Sequence, residues 1–265
     1  MQEFEMDDLK TSIVRSLDGQ NEALFPHLAY LLQDLWEIGA SPGHFIQLIC
    51  KNDLENKIAK AVDLGCGKGA VAIQLAKNFG WQVDGFDAMP AFIQEARQWS
   101  KKHGTENVCS FNVCDIRELV KTAGRYDLVI LGSIGSVFGS IEETLRAIRP
   151  CLFQTGYVLL DDGYQKSETI HSLHQIPTRE NAIQHIRKAG FVIIDEITYS
   201  PDFISASNQE IYSAIQHRVL ELEKKYPETK QLFQNYLAIQ RQENSALEND
   251  ITCVTWLLKY SVDHD

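Results

Sequence analysis

Eight consecutive residues, Val62-Asp63-Leu64-Gly65-Cys66-Gly67-Lys68-Gly69, hold the types that ligand binding needs. A short apolar run ends in them, and a helical pattern over 71–78 begins just after. Glycines at a strand-to-helix turn let the backbone approach a ligand closely. The first turn of the helix adds N–H groups with no intrahelical partner. With Ala70 the segment also satisfies the looser dinucleotide pattern G-x-G-x-x-A. Asp63 argues against that use, because it sets a negative charge where a pyrophosphate would lie. It suits a cationic or zwitterionic ligand better. A second mononucleotide-binding half is not visible after the fourth strand.

Further along, acidic residues recur at the ends of apolar runs: Asp87 after 81–86, and Asp115 shortly after 108–113. A carboxylate can accept two hydrogen bonds at once, as a ribose diol requires. Together these segments resemble the motifs of class I S-adenosylmethionine-dependent methyltransferases. D-L-G-C-G-K-G resembles motif I, implying that Asp63, Gly65, Cys66, Gly67 and Gly69 hold the amino-acid end of the cofactor. By the same resemblance Asp87 takes the ribose hydroxyls and Ala88 and Met89 pack on adenine. Asp115 and Ile116 match the adenine end, where Asp115 is directed at the amino group; it could also simply cap a helix. Tyr126-Asp127-Leu128-Val129-Ile130-Leu131-Gly132-Ser133 resembles the fourth-strand motif, implying that Gly132 and Ser133 border the transferred methyl. The stretch from Leu145 through Pro150 to Leu160 resembles the family's helix–loop–strand segment, with Thr155 in place of one glycine. The resemblance covers roughly residues 60–200 and implies a small-molecule methyltransferase with S-adenosyl-L-methionine as cofactor.

Acceptor chemistry is less legible. Asp161-Asp162-Gly163-Tyr164 is expected at the tip of the fifth strand, where Asp162 or Tyr164 could orient or deprotonate an acceptor; a polar turn is the competing reading. His44, His171 and His174 are general-base candidates by chemistry. The catalytic set expected is Asp162, Tyr164 and His174. Tyr30 and Trp36 could line the pocket or serve as core. Cys66 reads as a filler of the loop and Pro150-Cys151 as structural. Signatures of pyrimidine or adenine-amino methylation are absent after Leu131.

Positioning these residues takes a regular framework. Apolar runs at 61–64, 81–86, 108–113, 126–131, 156–160 and 191–197 alternate with helical patterns at 71–78, 90–102, 116–123, 141–148 and 179–189. Mostly apolar strands alternating with helices predict a parallel sheet covered on both faces. The expected fold is α/β, a doubly wound seven-stranded sheet, mostly parallel with an antiparallel last strand at 251–260. Before it, apolar spacing at 22–38 and a Ser41-Pro42 start predict N-terminal helices. A helical insert at about 205–248 is expected before the last strand. Residues 1–57 are then a covering segment and 58–265 the cofactor-binding domain.

Composition narrows the partners. The 265 residues carry 25 basic and 36 acidic groups, a net charge of −11. Residues 1–60 hold −5 and 201–265 hold −4, leaving the middle near neutral. Such a surface repels nucleic acid and anionic lipid. Scattered cysteines without metal spacing and an acidic amino terminus predict a reduced, cytoplasmic chain. The partner expected is a small-molecule methyl acceptor, with no nucleic acid, no membrane and no metal; homodimerisation is left open. Two rivals stand beside methyl transfer: an NAD-dependent oxidoreductase and a non-catalytic cofactor-binding module.

Overall fold

The computed structural model describes residues 2–166 and 176–261. Three helices lead: α1 (Gln2–Ser16), α2 (Phe25–Leu31) and α3 (Pro42–Lys51). Then come β1 (Lys60–Leu64), α4 (Ala70–Phe79), β2 (Gln82–Asp87), α5 (Pro90–His103), β3 (Cys109–Val113), α6 (Ile116–Leu119), β4 (Tyr126–Gly132), α7 (Ile141–Ile148) and β5 (Leu152–Gln165). The chain ends with α8 (Arg179–Lys188), β6 (Phe191–Thr198), α9 (Pro201–Lys225), α10 (Lys230–Asn249) and β7 (Ile251–Tyr260).

The seven strands form one sheet in the order β3-β2-β1-β4-β5-β7-β6. All pairs from β3 to β5 are parallel, and β7 is antiparallel to both neighbours. Strand order reverses between β1 and β4, beside the glycine loop, where open α/β sheets form a crevice. Alternation divides the core. Ala61, Leu128, Ile130, Leu159 and Leu257 pack with α3 and α4 on one face. Val62, Leu64, Val129, Leu131, Leu160 and Trp256 pack with α7 and α8 on the other. A third cluster joins α1 and α2 to α9 and α10, with Met89 and Phe92 between them. The insert and the leading helices therefore share one core over the carboxyl ends of the strands.

Two elements differ from the sequence expectation. The helix predicted over 22–38 is a 3-10 turn at Glu22–Leu24 followed by α2, which stops at Leu31. Residues beyond it are drawn elsewhere: the Lys68 ammonium binds the Leu32 carbonyl at 2.8 Å, and the Trp36 indole N–H donates to the Lys68 carbonyl at 3.2 Å. Trp36 is stacked on Trp99 and His103. The fifth strand is also much longer than 156–160. Asp161, Asp162, Gly163 and Tyr164 pair with Thr255, Val254, Cys253 and Thr252, so the expected tip lies inside a ladder.

Candidate functional site

The glycine loop is tied to the end of β2. Gly65 and Cys66 donate their N–H groups to the Phe86 carbonyl at 2.8 and 3.0 Å. Gly67 and Met89 donate to the two oxygens of Asp87 at 2.9 and 2.8 Å. Each carboxylate oxygen keeps a further lone pair for a ligand. Gly69 has φ +76°, and a Cβ there would lie 2.8 Å from the Phe111 ring. Gly67 has φ +51°, and a Cβ there would meet nothing within 4 Å. One glycine thus closes the loop on the protein, and the other leaves a cradle beside the Asp87 carboxylate.

Asp63 is buried at 2% exposure, and its Oδ2 has no hydrogen-bond partner. Burial pushes its carboxyl up to about 7; the Ala72 N–H works against this, and the Asp87 charge adds to it. Burial also raises Asp87, opposed by the Met89 and Gly67 N–H groups. The cation in the loop does not relieve them. Lys68, 1% exposed, turns outward to Glu95 at 2.8 Å and to Leu32. Buried Asp63, with its orphaned oxygen, and half-buried Asp87 are a donor set suited to a cationic ligand with hydroxyl groups.

The other motif residues surround this crevice. Met89 is buried in the cluster with the leading helices, and Ala88 packs against it. Ile116 is buried, and its Cδ1 lies 4.0 Å from where a Gly65 Cβ would sit. Asp115 caps α6 through the Arg117 N–H at 2.9 Å. Its carboxylate also takes the Arg117 guanidinium side-on at 2.8–3.1 Å, and Arg117 reaches on to Asp8. The capping role expected of Asp115 is therefore present, and three Arg117 N–H groups take three of the carboxylate's roughly four acceptor sites. Burial holds the Cys66 thiol well above its ordinary value, in keeping with a filler.

At the end of β4, Ser133 has φ +54°, a conformation that L side chains adopt at a cost and that concentrates at functional positions. The chain before α3 presses on this end. A Cβ on Gly39 would lie 2.8 Å from the Ser133 Cβ, and one on Gly132 would lie 3.1 Å from the Ala40 Cβ. The Ser133 hydroxyl donates to Asp161. Asp161 also accepts from Tyr199 at 2.6 Å and from Thr255 at 2.7 Å. The His44 ring lies edge-on to Tyr199, 4.3 Å between centroids, and its Nδ1 is buried without a partner. Burial lowers the His44 pKa, with Asp161 opposing, so the imidazole is neutral at neutral pH.

The acceptor-side candidates part company here. Asp161 and Asp162 point to opposite faces of the sheet. Asp162 is exposed, yet desolvation by the atoms around it pushes it up to about 6, with the Gly163 N–H opposing and Asp161 adding. Tyr164 is stacked on Trp256 with the Arg179 guanidinium over its ring. Asp161 is the member of this stretch that bonds Ser133. His171 and His174 lie outside the described residues. Tyr30 bonds Glu221 on α9 at 2.7 Å and Trp36 belongs to the anchored loop, so both serve the cover. Sequence reasoning missed Tyr199 and Thr255. The available signal was Thr255 itself, a polar residue inside the apolar run of β7.

This fold and crevice define a class, and comparison with known proteins agrees. A family model described as "Methyltransferase domain" matches residues 55–237, more than half of the chain. The chain belongs to that methyltransferase family, and its architecture is the Rossmann-like class I fold. Norajmaline N-methyltransferase of Rauvolfia serpentina is 33% identical over 79 residues, 30% of this chain and 27% of that protein. The chain spans about a quarter of the length of the curated relatives it matches. A solved structure of a SAM-dependent methyltransferase from Geobacter sulfurreducens, in complex with S-adenosyl-L-homocysteine, superposes with TM-score 0.69 at 13% identity, covering 87% of this chain and 96% of that one. The cyclase SpnF superposes with TM-score 0.64 at 14% identity, covering 89% and 94%. Among the described residues no helix is long and apolar enough to cross a membrane.

Proposed function

We propose that this chain binds S-adenosyl-L-methionine and transfers its methyl group to a small-molecule acceptor. The observation that carries the reading is a pair of carboxylates without a counter-ion, buried Asp63 and half-buried Asp87, beside the open face of Gly67. When bound, the cofactor supplies an electrophilic methyl on a sulfonium. The residues present fit it. Asp63 and the loop N–H groups would hold its amino-acid end, Asp87 the ribose hydroxyls, and Met89 with Ile116 the adenine. Asp115 acts there through the helix it caps, since Arg117 takes its carboxylate.

Methyl transfer asks the protein for alignment and exclusion of water more than for a covalent nucleophile. The covering segment (residues 1–57) and the helical insert supply both in this reading. The acceptor side consists of Ser133, Asp161, Tyr199 and His44, in preference to the Asp162, Tyr164 and His174 set that the sequence favours. A neutral His44 could take a proton from a hydroxyl acceptor. Relatives named as N- and O-methyltransferases support a small acceptor without choosing its atom. Six free cysteines support a reducing, cytoplasmic setting. Light scattering would separate a monomer from the homodimer that the reading allows.

Calorimetry with S-adenosylmethionine, S-adenosylhomocysteine and NAD tests the assignment. We expect both adenosyl ligands to bind, and Asp87→Ala to abolish their binding; binding of NAD alone overturns the reading. Because the fold is shared with a cyclase, labelled-methyl transfer across a metabolite panel is the second arm. It separates methyl transfer from other chemistry on the same cofactor site.

A further inference from the structure

The cluster at the ends of β4, β5 and β7 holds a charge that no described lysine or arginine neutralises. Asp161 is 9% exposed. Ser133 comes to it from the end of β4, Tyr199 from the end of β6 and Thr255 from β7. Three hydroxyl donors on one carboxyl suit the ionised form, which is acceptor-only. Burial opposes that charge and the three donors favour it. The Tyr199 phenol is itself pushed up by burial and by the Asp161 charge, so it stays protonated and donating. A buried carboxylate that is hydrogen-bonded yet lacks a counter-ion is costly, and a cationic ligand group beside it removes part of that cost. The carboxylate is one hydrogen bond from Ser133, the residue that ends the β4 motif.

We propose that Asp161 is the counter-ion for the positive charge at the transferring end of the cofactor, so that the site distinguishes the sulfonium from the neutral thioether left after transfer. This rests on the methyltransferase reading above. In the transfer the acceptor lone pair forms the new bond to the methyl carbon. The carbon–sulfur pair returns to sulfur, and the sulfonium charge is cancelled there. The attraction to Asp161 at sulfur ends with it, which favours exchange of spent cofactor for fresh. Binding energy that follows the charge is a difference between two otherwise similar ligands, and that difference is what can be measured.

Calorimetry with three probes reads it: S-adenosylmethionine, sinefungin (an ammonium at the place of the methyl-bearing sulfonium) and neutral S-adenosylhomocysteine. Asp161→Asn is expected to weaken the two cationic probes about tenfold and the neutral one less than twofold. Asp161→Glu is expected to restore most of the difference. Equal losses for all three probes, or no loss, overturn the proposal. Failure of S-adenosylhomocysteine to bind the unmodified protein sinks the methyltransferase reading instead, and this inference with it.

If Asp161→Asn does not fold, the sinefungin to S-adenosylhomocysteine affinity ratio of the unmodified protein carries the test. Asp63 and Asp87 face parts common to both ligands and cancel. The groups around Asp161 are Ser133, Tyr199, Thr255, His44, Asp162 and Cys253. Protonating the carboxylate removes its charge, so the ratio should fall severalfold as pH is lowered through the titration of Asp161. A double His44→Gln, Asp162→Asn variant must keep the fall. A flat ratio, or a fall that vanishes in the double variant, overturns the assignment.

Discussion

Asp63→Asn should make the ligand-free protein more stable, and increasingly so as pH rises. Burial takes the carboxyl from its ordinary 3.8 to about 7 in the folded protein. A carboxyl with a raised folded pKa binds its proton more tightly when folded. Its favourable contribution is complete below the unfolded pKa and is lost as pH rises through the folded one. Between 3.8 and about 7 lie roughly three pH units, or about 4 kcal/mol at 1.36 kcal/mol each. Near pH 5.5 only about half of this penalty has developed, so the Asn variant should gain about a further 2 kcal/mol on the parent between pH 5.5 and 8. Urea unfolding of both proteins at the two pH values measures the gap. Asp161 is present in both proteins and drops out of the comparison, whereas Asp87, whose charge helps to raise Asp63, is itself relieved in the Asn variant and adds to the gap in the same direction. The same variant should bind S-adenosylmethionine more weakly, a trade of function against stability. A gap that stays constant or narrows with rising pH would refute the claim that Asp63 sits unpaired and desolvated.

Other substitutions test the surroundings. Lys68→Met leaves Glu95 and the Leu32 carbonyl without their cation; unfolding free energy should drop by about 2–3 kcal/mol, with faster hydrogen exchange in α2. Gly69→Ala forces a side chain at φ +76° to within 2.8 Å of Phe111, and should cost about 2 kcal/mol or more in chemical denaturation. With a thiol reagent at pH 8, Cys50 should react first because it is exposed, while Cys66, Cys109 and Cys151 react only on unfolding.

Much of the frame is written in local pattern. The last strand occupies Ile251–Tyr260, as the sequence predicts, because this mostly β-branched, aromatic and apolar stretch favours extended backbone. Asp63, Gly65, Gly67 and Asp87 are legible for a similar reason: each sits where a strand ends, and strand ends are marked by the loss of apolar residues. Asp161 was hidden by the opposite effect. Asp-Asp-Gly is turn composition, yet these residues continue β5 because β7 pairs with them, a tertiary demand that outweighs low strand propensity. Once the strand is extended, alternation alone sends Asp161 and Asp162 to opposite faces. Tyr199 reaches Asp161 only because β6 lies beyond β7 in the sheet, an order that no single segment encodes. The early stop of α2 likewise depends on Lys68, thirty-six positions from Leu32.

The cover over the strand ends must open for cofactor exchange, and packing decides where. The insert contributes Ile215, Val219, Leu222, Phe233, Tyr236 and Leu237 to the core it shares with the leading helices. At about 1.5–3 kcal/mol for each large side chain, lifting the insert forfeits on the order of 10 kcal/mol or more, even as an upper estimate reduced for residual burial. The loop over 33–41 is held by less. Leu35 and Ala40 are its buried apolar residues. Its other ties are the Asp34–Arg218 pair, the Gln74–Glu37 bond, the Trp36 indole bond to Lys68, the Ser41 N–H bond to Tyr199 and the stack of Trp36 on Trp99 and His103. Those ties are exposed or partly so, and solvent screens such contacts, so each holds the loop far less than a buried side chain would. This loop also abuts Gly132 and Ser133 directly. Opening should therefore begin at 33–41 while α9 and α10 stay docked. Native-state hydrogen exchange should find amides of 33–41 exchanging well before those of 215–222 and 233–240, and S-adenosylhomocysteine should slow the loop more than the insert. The tryptophan emission should change when the loop leaves, because Trp36 then loses its stack on Trp99 and His103. Equal exchange in loop and insert would mean that the cover moves as one body, and the packing argument would fail.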